Sequence, residues 1–230
     1  MTSFSTIPYT LTRSRRKTIA IYITEDATVE VRAPLIASQA DIDKFVASKE
    51  KWIRTHLAER KRLGDEKTSF TLEYNDMVLF RGAKYPLVAK PGNLAGFDGE
   101  SFYLPPGLAA YEVKGIIIQV YKMMARKLFK EKAGSFAKSM KVVPSAIKVT
   151  SAKTRWGSCS GKNSLNFSWR LVMADDDVID YVVVHELAHI KEHNHSARFW
   201  SIVKSVLPDY QARQRKLKQL QKTLAAQDWD

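Results

Sequence analysis

Apolar and polar positions alternate with period two in Ile19-Ala20-Ile21-Tyr22-Ile23 and again in Val29-Glu30-Val31-Arg32-Ala33. That period predicts two strands, each with one buried face. Glu25-Asp26-Ala27 forms a loose turn between them, and Pro34 ends the second. The period then changes. Ile42, Phe45, Val46, Trp52, Ile53 and Leu57 recur at helical spacing and predict a single helix. Asp41 and Asp43 suit its positive end, Arg60, Lys61 and Arg62 its negative end, and Gly64 stops it. Residues 72–90 read as two short strands turning near Arg81-Gly82, and residues 101–104 as another.

Pro105-Pro106-Gly107 is the strongest internal punctuation. It divides a β-rich part with one helix, residues 1–104, from a second part, residues 105–230. A long amphipathic helix opens that second part, with Val113, Ile116, Ile117, Val120, Met123, Met124, Leu128 and Phe129 on its apolar stripe. Residues 147–151 read as a strand. Leu165, Phe167, Trp169 and Leu171 alternate with Asn166, Ser168 and Arg170, which predicts a half-buried strand over 165–171. A helix follows over 178–192. Ser196 caps the next helix, and Pro208 opens the last. Short strands mixed with helices make the fold class α+β.

Cys159 is the only cysteine, which excludes an internal disulfide and any zinc site built on cysteine clusters. The start Met1-Thr2-Ser3-Phe4-Ser5-Thr6-Ile7-Pro8 lacks the charged and apolar regions of a secretory signal, and no apolar run approaches the ~20 residues of a membrane span. The expected location is the cytoplasm. The net charge is +13, and it is unevenly spread: eleven Lys and Arg face Glu131 alone between Lys122 and Lys162. Such a bias favours acidic partners, including weak binding of nucleic acid.

The chemistry lies in His185-Glu186-Leu187-Ala188-His189. Histidines four apart share one helical face, so both imidazoles can reach one zinc ion at ~2.0–2.1 Å. Glu186, beside the first, is placed to take a proton from a metal-activated water. A catalytic zinc needs a third protein ligand. His193 on a continued helix would stand roughly 12 Å from His185 at a rise of ~5.4 Å per turn. His195, after a helix end at Asn194, is the preferred third ligand, and Asp209 is its rival. Arg155, with Asn166 and Ser168 on the polar face of the 165–171 strand, are the candidate substrate contacts. Arg155 alternatively pairs with Asp177 or Asp180. Tyr210 and Arg155 are the candidate stabilisers of a developing oxyanion.

Arg155-Trp156-Gly157-Ser158-Cys159, then Trp169-Arg170-Leu171-Val172, the His185–His189 motif with its preceding Asp180-Tyr181, and Asn194-His195-Ser196 with Phe199-Trp200 occur in that order. This series resembles the YgjP-like family of metal-dependent hydrolases, relatives of the minigluzincin and SprT-like peptidases. The resemblance extends to Arg13-Ser14-Arg15-Arg16-Lys17 and Lys49–Ile53; Asp175 and Ala197 depart from the family's usual proline. It implies a zincin-like fold, zinc on His185, His189 and His195, and Glu186 as the catalytic base of a metallopeptidase. In zincins an extended peptide pairs with the sheet's edge strand, for which 165–171 is the candidate. A nucleotide substrate is the alternative, since some members carry a pyrimidine nucleoside triphosphate pyrophosphatase label. A nucleic-acid-associated module with a structural zinc is the third reading.

Overall fold

Alternation of Val29, Val31 and Ala33 with Glu30 and Arg32 gives a strand whose apolar face is fully covered. This computed structural model describes residues 7–24, 26–68 and 70–229; Met1–Thr6 and Glu25, on which the leader and turn expectations rest, lie outside the described residues. The chain is α+β and divides into two units, Met1–Phe70 with Leu224–Asp228, and Thr71–Thr223 with Trp229.

In the first unit, β3 (Val29–Pro34) is central, parallel to β1 (Thr10–Ser14) and antiparallel to β2 (Ala20–Ile23). The predicted single helix is two. Helix α1 (Gln39–Ser48) starts at Ser38, whose hydroxyl accepts the Asp41 N–H at 3.1 Å. It stops at Lys49, where φ −108° and ψ 8° leave the helical region and the N–H turns back to the Val46 carbonyl at 3.0 Å. Helix α2 (Glu50–Thr68) then runs through Gly64 without ending there. Val29, Val31, Ile42, Val46 and Ile53 form the core of this unit.

The second unit carries the sheet β4 (Met77–Phe80), β5 (Ala83–Ala89), β7 (Phe102–Leu104) and β6 (Gly96–Phe97), in that spatial order. Arg81 (φ 48°) and Gly82 (φ 80°) make the tight turn from β4 to β5, as two positive φ angles require. Phe80, Phe97, Phe102 and Tyr121 form an aromatic cluster beneath it, with Phe80 and Phe102 edge to face at 5.6 Å between centroids. Pro105-Pro106-Gly107 turns the chain into α3 (Ala110–Met140) within this same unit.

Glu112 anchors the start of α3 by accepting the Ala109 N–H at 2.8 Å, and Lys141 ends it in the left-handed region. The buried face differs from the apolar stripe: Met123 is exposed, whereas Tyr121, Ala125, Ala133 and Ala137 are buried. Small alanines there allow α4 (Asp176–Ala188) to pack closely on α3. Lys132 of α3 donates to Asp180 of α4 at 2.6 Å, and Arg81 pairs with Asp176.

A second sheet of this unit places β10 (Ser164–Ser168) between β8 (Ala146–Thr150) and β9 (Gly157–Cys159). Two expectations change here. The strand ends at Ser168, and residues Trp169–Met173 form a fully buried 3-10 turn. Arg170 is therefore inside: its guanidinium lies 4.5 Å over the Trp169 ring and donates to the Ser151 and Trp229 carbonyls. Moreover, β10 is the central strand, so the edge nearest the histidine motif is β9. Helices α5 (Ala197–Val206) and α6 (Tyr210–Ala225) complete the chain. No helix among the described residues is long and apolar enough to cross a membrane.

Candidate metal centre and active site

Helix α4 is apolar on nearly every face. Val178, Ile179, Val182, Val183, Val184, Leu187 and Ala188 are all buried, so its two polar motif residues stand in a medium of low dielectric. The helix ends at Ala188, four residues sooner than the apolar pattern suggests. Ile190 and Lys191 bond back three residues, to the Leu187 and Ala188 carbonyls, which tightens the chain into a turn. The continued helix invoked against His193 is thus absent. The turn itself delivers His195 to His185 and His189 and leaves His193 outside the cluster.

Ligand atoms of His185, His189 and His195 lie within 4.8 Å of one another, and the Nε2 atoms of His185 and His195 are 3.0 Å apart. Ligands ~2.0–2.1 Å from a tetrahedral zinc stand roughly 3.3 Å from each other, so the cluster fits such an ion. His189 turns its Nδ1 to the Glu192 carbonyl at 3.2 Å, which leaves Nε2 for the cluster. Burial first, then its two histidine neighbours, pushes the His185 pKa down to about 3. Burial likewise lowers that of His189. Both shifts favour the neutral imidazole, the form that can donate a lone pair. His195 stacks on Trp200 at 5.7 Å and 27°, and Trp200 stacks on Tyr210 at 5.2 Å and 19°. Ser196 starts α5 by accepting the Phe199 N–H at 3.2 Å, which fixes the residue next to His195. Asp209 is elsewhere: both its oxygens accept from Arg213 at 3.0 Å.

Glu186 is 6% exposed, and burial raises its pKa to about 7, with the positive charge of Arg155 opposing the rise. The space for its carboxylate is made by Gly157. A Cβ at that position would stand 2.7 Å from both Cγ and Oε1 of Glu186. The glycine within Arg155-Trp156-Gly157-Ser158-Cys159 thus has a physical reason that no periodicity reveals.

Among the described residues, strand β9 pairs with β10 on one side and with no strand on the other. Ser168 N–H bonds the Trp156 carbonyl and Ser160 N–H bonds that of Ser164, so even-numbered positions face β10. By the alternation of an antiparallel ladder, the N–H and C=O groups of Gly157 and Cys159 point to the free side. Burial and Glu186 raise the Cys159 thiol pKa, so it is not an activated thiolate.

The predicted substrate contacts separate. Ser168 is 2% exposed and its hydroxyl is spent on the Ala152 carbonyl at 2.8 Å. Asn166 is half-buried and donates to Ser158 Oγ at 3.4 Å. Arg155 alone is exposed, and its expected acidic partners are taken: Asp177 by Lys216 at 2.8 Å and Asp180 by Lys132. The basic surface is also partly neutralised, since Lys132, Arg213 and Lys216 are paired, while Arg126, Lys127, Lys130, Arg215 and Lys218 remain exposed.

No curated protein matches the chain. Among solved structures, the metallopeptidase zymogen jannalysin of Methanocaldococcus jannaschii is 25% identical over 41% of this chain and 96% of its own, with a TM-score of 0.36. The metallopeptidase zymogen abylysin of Pyrococcus abyssi is 18% identical over 42% of this chain and 94% of its own, with a TM-score of 0.37. The model of the YgjP-like metallopeptidase domain matches residues 17–220. It takes in both units and every residue of the histidine cluster, and the chain belongs to that family of metal-dependent hydrolases.

Proposed function

We propose that the protein is a zinc-dependent peptidase in which Glu186 is the general base. The observation that carries this reading is a cluster of three imidazoles that no carboxylate among the described residues joins. Imidazole donors suit zinc, whereas Mg²⁺, the usual ion of phosphoryl enzymes, prefers carboxylates and water. When bound, zinc supplies Lewis acidity and lowers the pKa of a water at its open position to about 7.

The remaining work falls to the chain's own residues. His185, His189 and His195 would hold the ion. Glu186, with a pKa raised to about 7 by burial, accepts a proton from the attacking water and returns it to the leaving amine. Matching of the base to neutral pH favours both transfers. An extended peptide bonds along the open edge of β9 to the amides of Gly157 and Cys159, a form of strand addition. Gly157 is the point where that edge touches Glu186, so the bound peptide crosses the base.

A screen of the zinc-loaded protein against peptides and nucleoside triphosphates tests the reading, with Glu186→Gln as the blank. Peptide cleavage that Glu186→Gln abolishes is expected. Cleavage of triphosphates alone, or cleavage that survives in Glu186→Gln, overturns it.

A further inference from the structure

Arg155 sits on a short loop that is tied down at both ends. Arg170 donates to the Ser151 carbonyl at 3.2 Å, Ser168 Oγ to that of Ala152 at 2.8 Å, and the Ser168 N–H to that of Trp156 at 2.9 Å. The donors, Ser168 and Arg170, are themselves buried at 2% and 8% exposure. Buried groups are thus committed to holding a loop whose own tip, residues 153–155, is exposed. The Arg155 guanidinium has no hydrogen bond or ion pair among the described residues, and its loop leads into the strand whose Gly157 packs against the Glu186 carboxylate. It stands two residues, roughly 7 Å of extended chain, before Gly157. An unpaired cation at the tip of an anchored loop beside the Glu186 pocket is suited to receive an anion on the substrate.

We infer that Arg155 is a specificity residue that receives a carboxylate of the substrate peptide, one to two residues from the bond that lies over Glu186. This rests on the peptidase reading and names its substrate class: peptides that place an acidic side chain, or their own terminal carboxylate, at that distance. A planar guanidinium takes a carboxylate through two parallel N–H···O bonds, so geometry as well as charge selects it. The two sources of the carboxylate share this chemistry and differ only in where the peptide ends.

The zinc-loaded Glu186→Gln protein serves for binding, so that turnover is not needed. A single Glu is walked along an otherwise neutral fluorescent peptide with blocked ends, and its Gln counterpart is measured at each position. A parallel pair has a free or an amidated C-terminus. One Glu position, or the free terminus, should bind about 10- to 100-fold more tightly than its neutral counterpart, as a charge-assisted pair predicts. Adding Arg155→Ala should erase that preference and leave the affinity for the neutral peptide unchanged. Arg155→Lys should restore part of it. Equal binding of acidic and neutral peptides at every position overturns the inference, as does an Arg155→Ala variant that weakens both alike. Cleavage by the unmodified protein is followed separately: an Arg155-dependent preference without cleavage leaves the subsite standing and removes the peptidase reading.

Discussion

Gly157→Ala probes the contact on which the position of Glu186 depends. The added methyl carbon would lie 2.7 Å from Glu186 Cγ and Oε1 and 2.9 Å from Cδ. Carbon contacts relax at about 3.5 Å, so the Glu186 side chain and the strand must part by roughly 0.8 Å. Neither yields cheaply. Glu186 is 6% exposed on a helix buried on nearly all faces, and β9 is bonded to β10. Overpacking of this kind costs about 1–3 kcal/mol of stability, a fall of several degrees in Tm for a chain of this length. Displacement of a catalytic group by about 1 Å lowers turnover by about 100-fold. The three imidazoles are not touched, so zinc affinity should stay near that of the unmodified protein. Gly161→Ala is the control, because nothing lies within 4 Å of its added carbon. Thermal unfolding, zinc titration and turnover of a cleaved peptide are measured on both variants. Full turnover by Gly157→Ala would refute the close approach, and so would loss of zinc from a folded variant.

Trp200→Ala removes the ring on which His195 stacks and should weaken zinc binding about 10- to 100-fold, as loss of a ligand's supporting contact does; an unchanged affinity in chelator competition contradicts this. Hydrogen bonding from Arg81, with the charge of Lys132 nearby, holds the Asp176 carboxyl below its ordinary pKa. A depressed folded-state pKa adds stability above the unfolded value of about 3.9, and that stability is lost as pH falls through the folded value. Asp176→Asn should therefore lower stability at neutral pH and flatten its decline below about pH 4; parallel acid limbs in denaturant titrations of the two proteins rule this out.

The part of the site encoded locally was the part legible in the sequence. His185, Glu186 and His189 lie on one helical turn, and their spacing alone brings them together. The helical rise that sets His193 aside does not apply, since the helix ends at Ala188 and the turn through Ile190 and Lys191 brings His195 back. Alternation through Trp169, Arg170 and Leu171 reads as strand because period two does not distinguish a ladder from a tightly buried 3-10 turn. Arg170 consequently looked solvent-facing, although backbone carbonyls and a tryptophan ring satisfy its charge inside. Strand β9 has three residues, too few for a period, and nothing in the linear order states that β10 runs between β8 and β9. Polar Thr10–Ser14 gave no strand signal, because pairing with β3 rather than burial holds it. The break at Lys49 has no glycine or proline to mark it.

His185, His189 and His195 are expected to form one metal centre. Zinc titration against a chromophoric chelator measures it directly, on the unmodified protein, His193→Ala and His195→Ala. One tightly bound zinc per chain is expected, with an unaltered affinity for His193→Ala and at least a 100-fold (about 2.7 kcal/mol) loss for His195→Ala. A His195→Ala variant that binds zinc as tightly as the unmodified protein would contradict it.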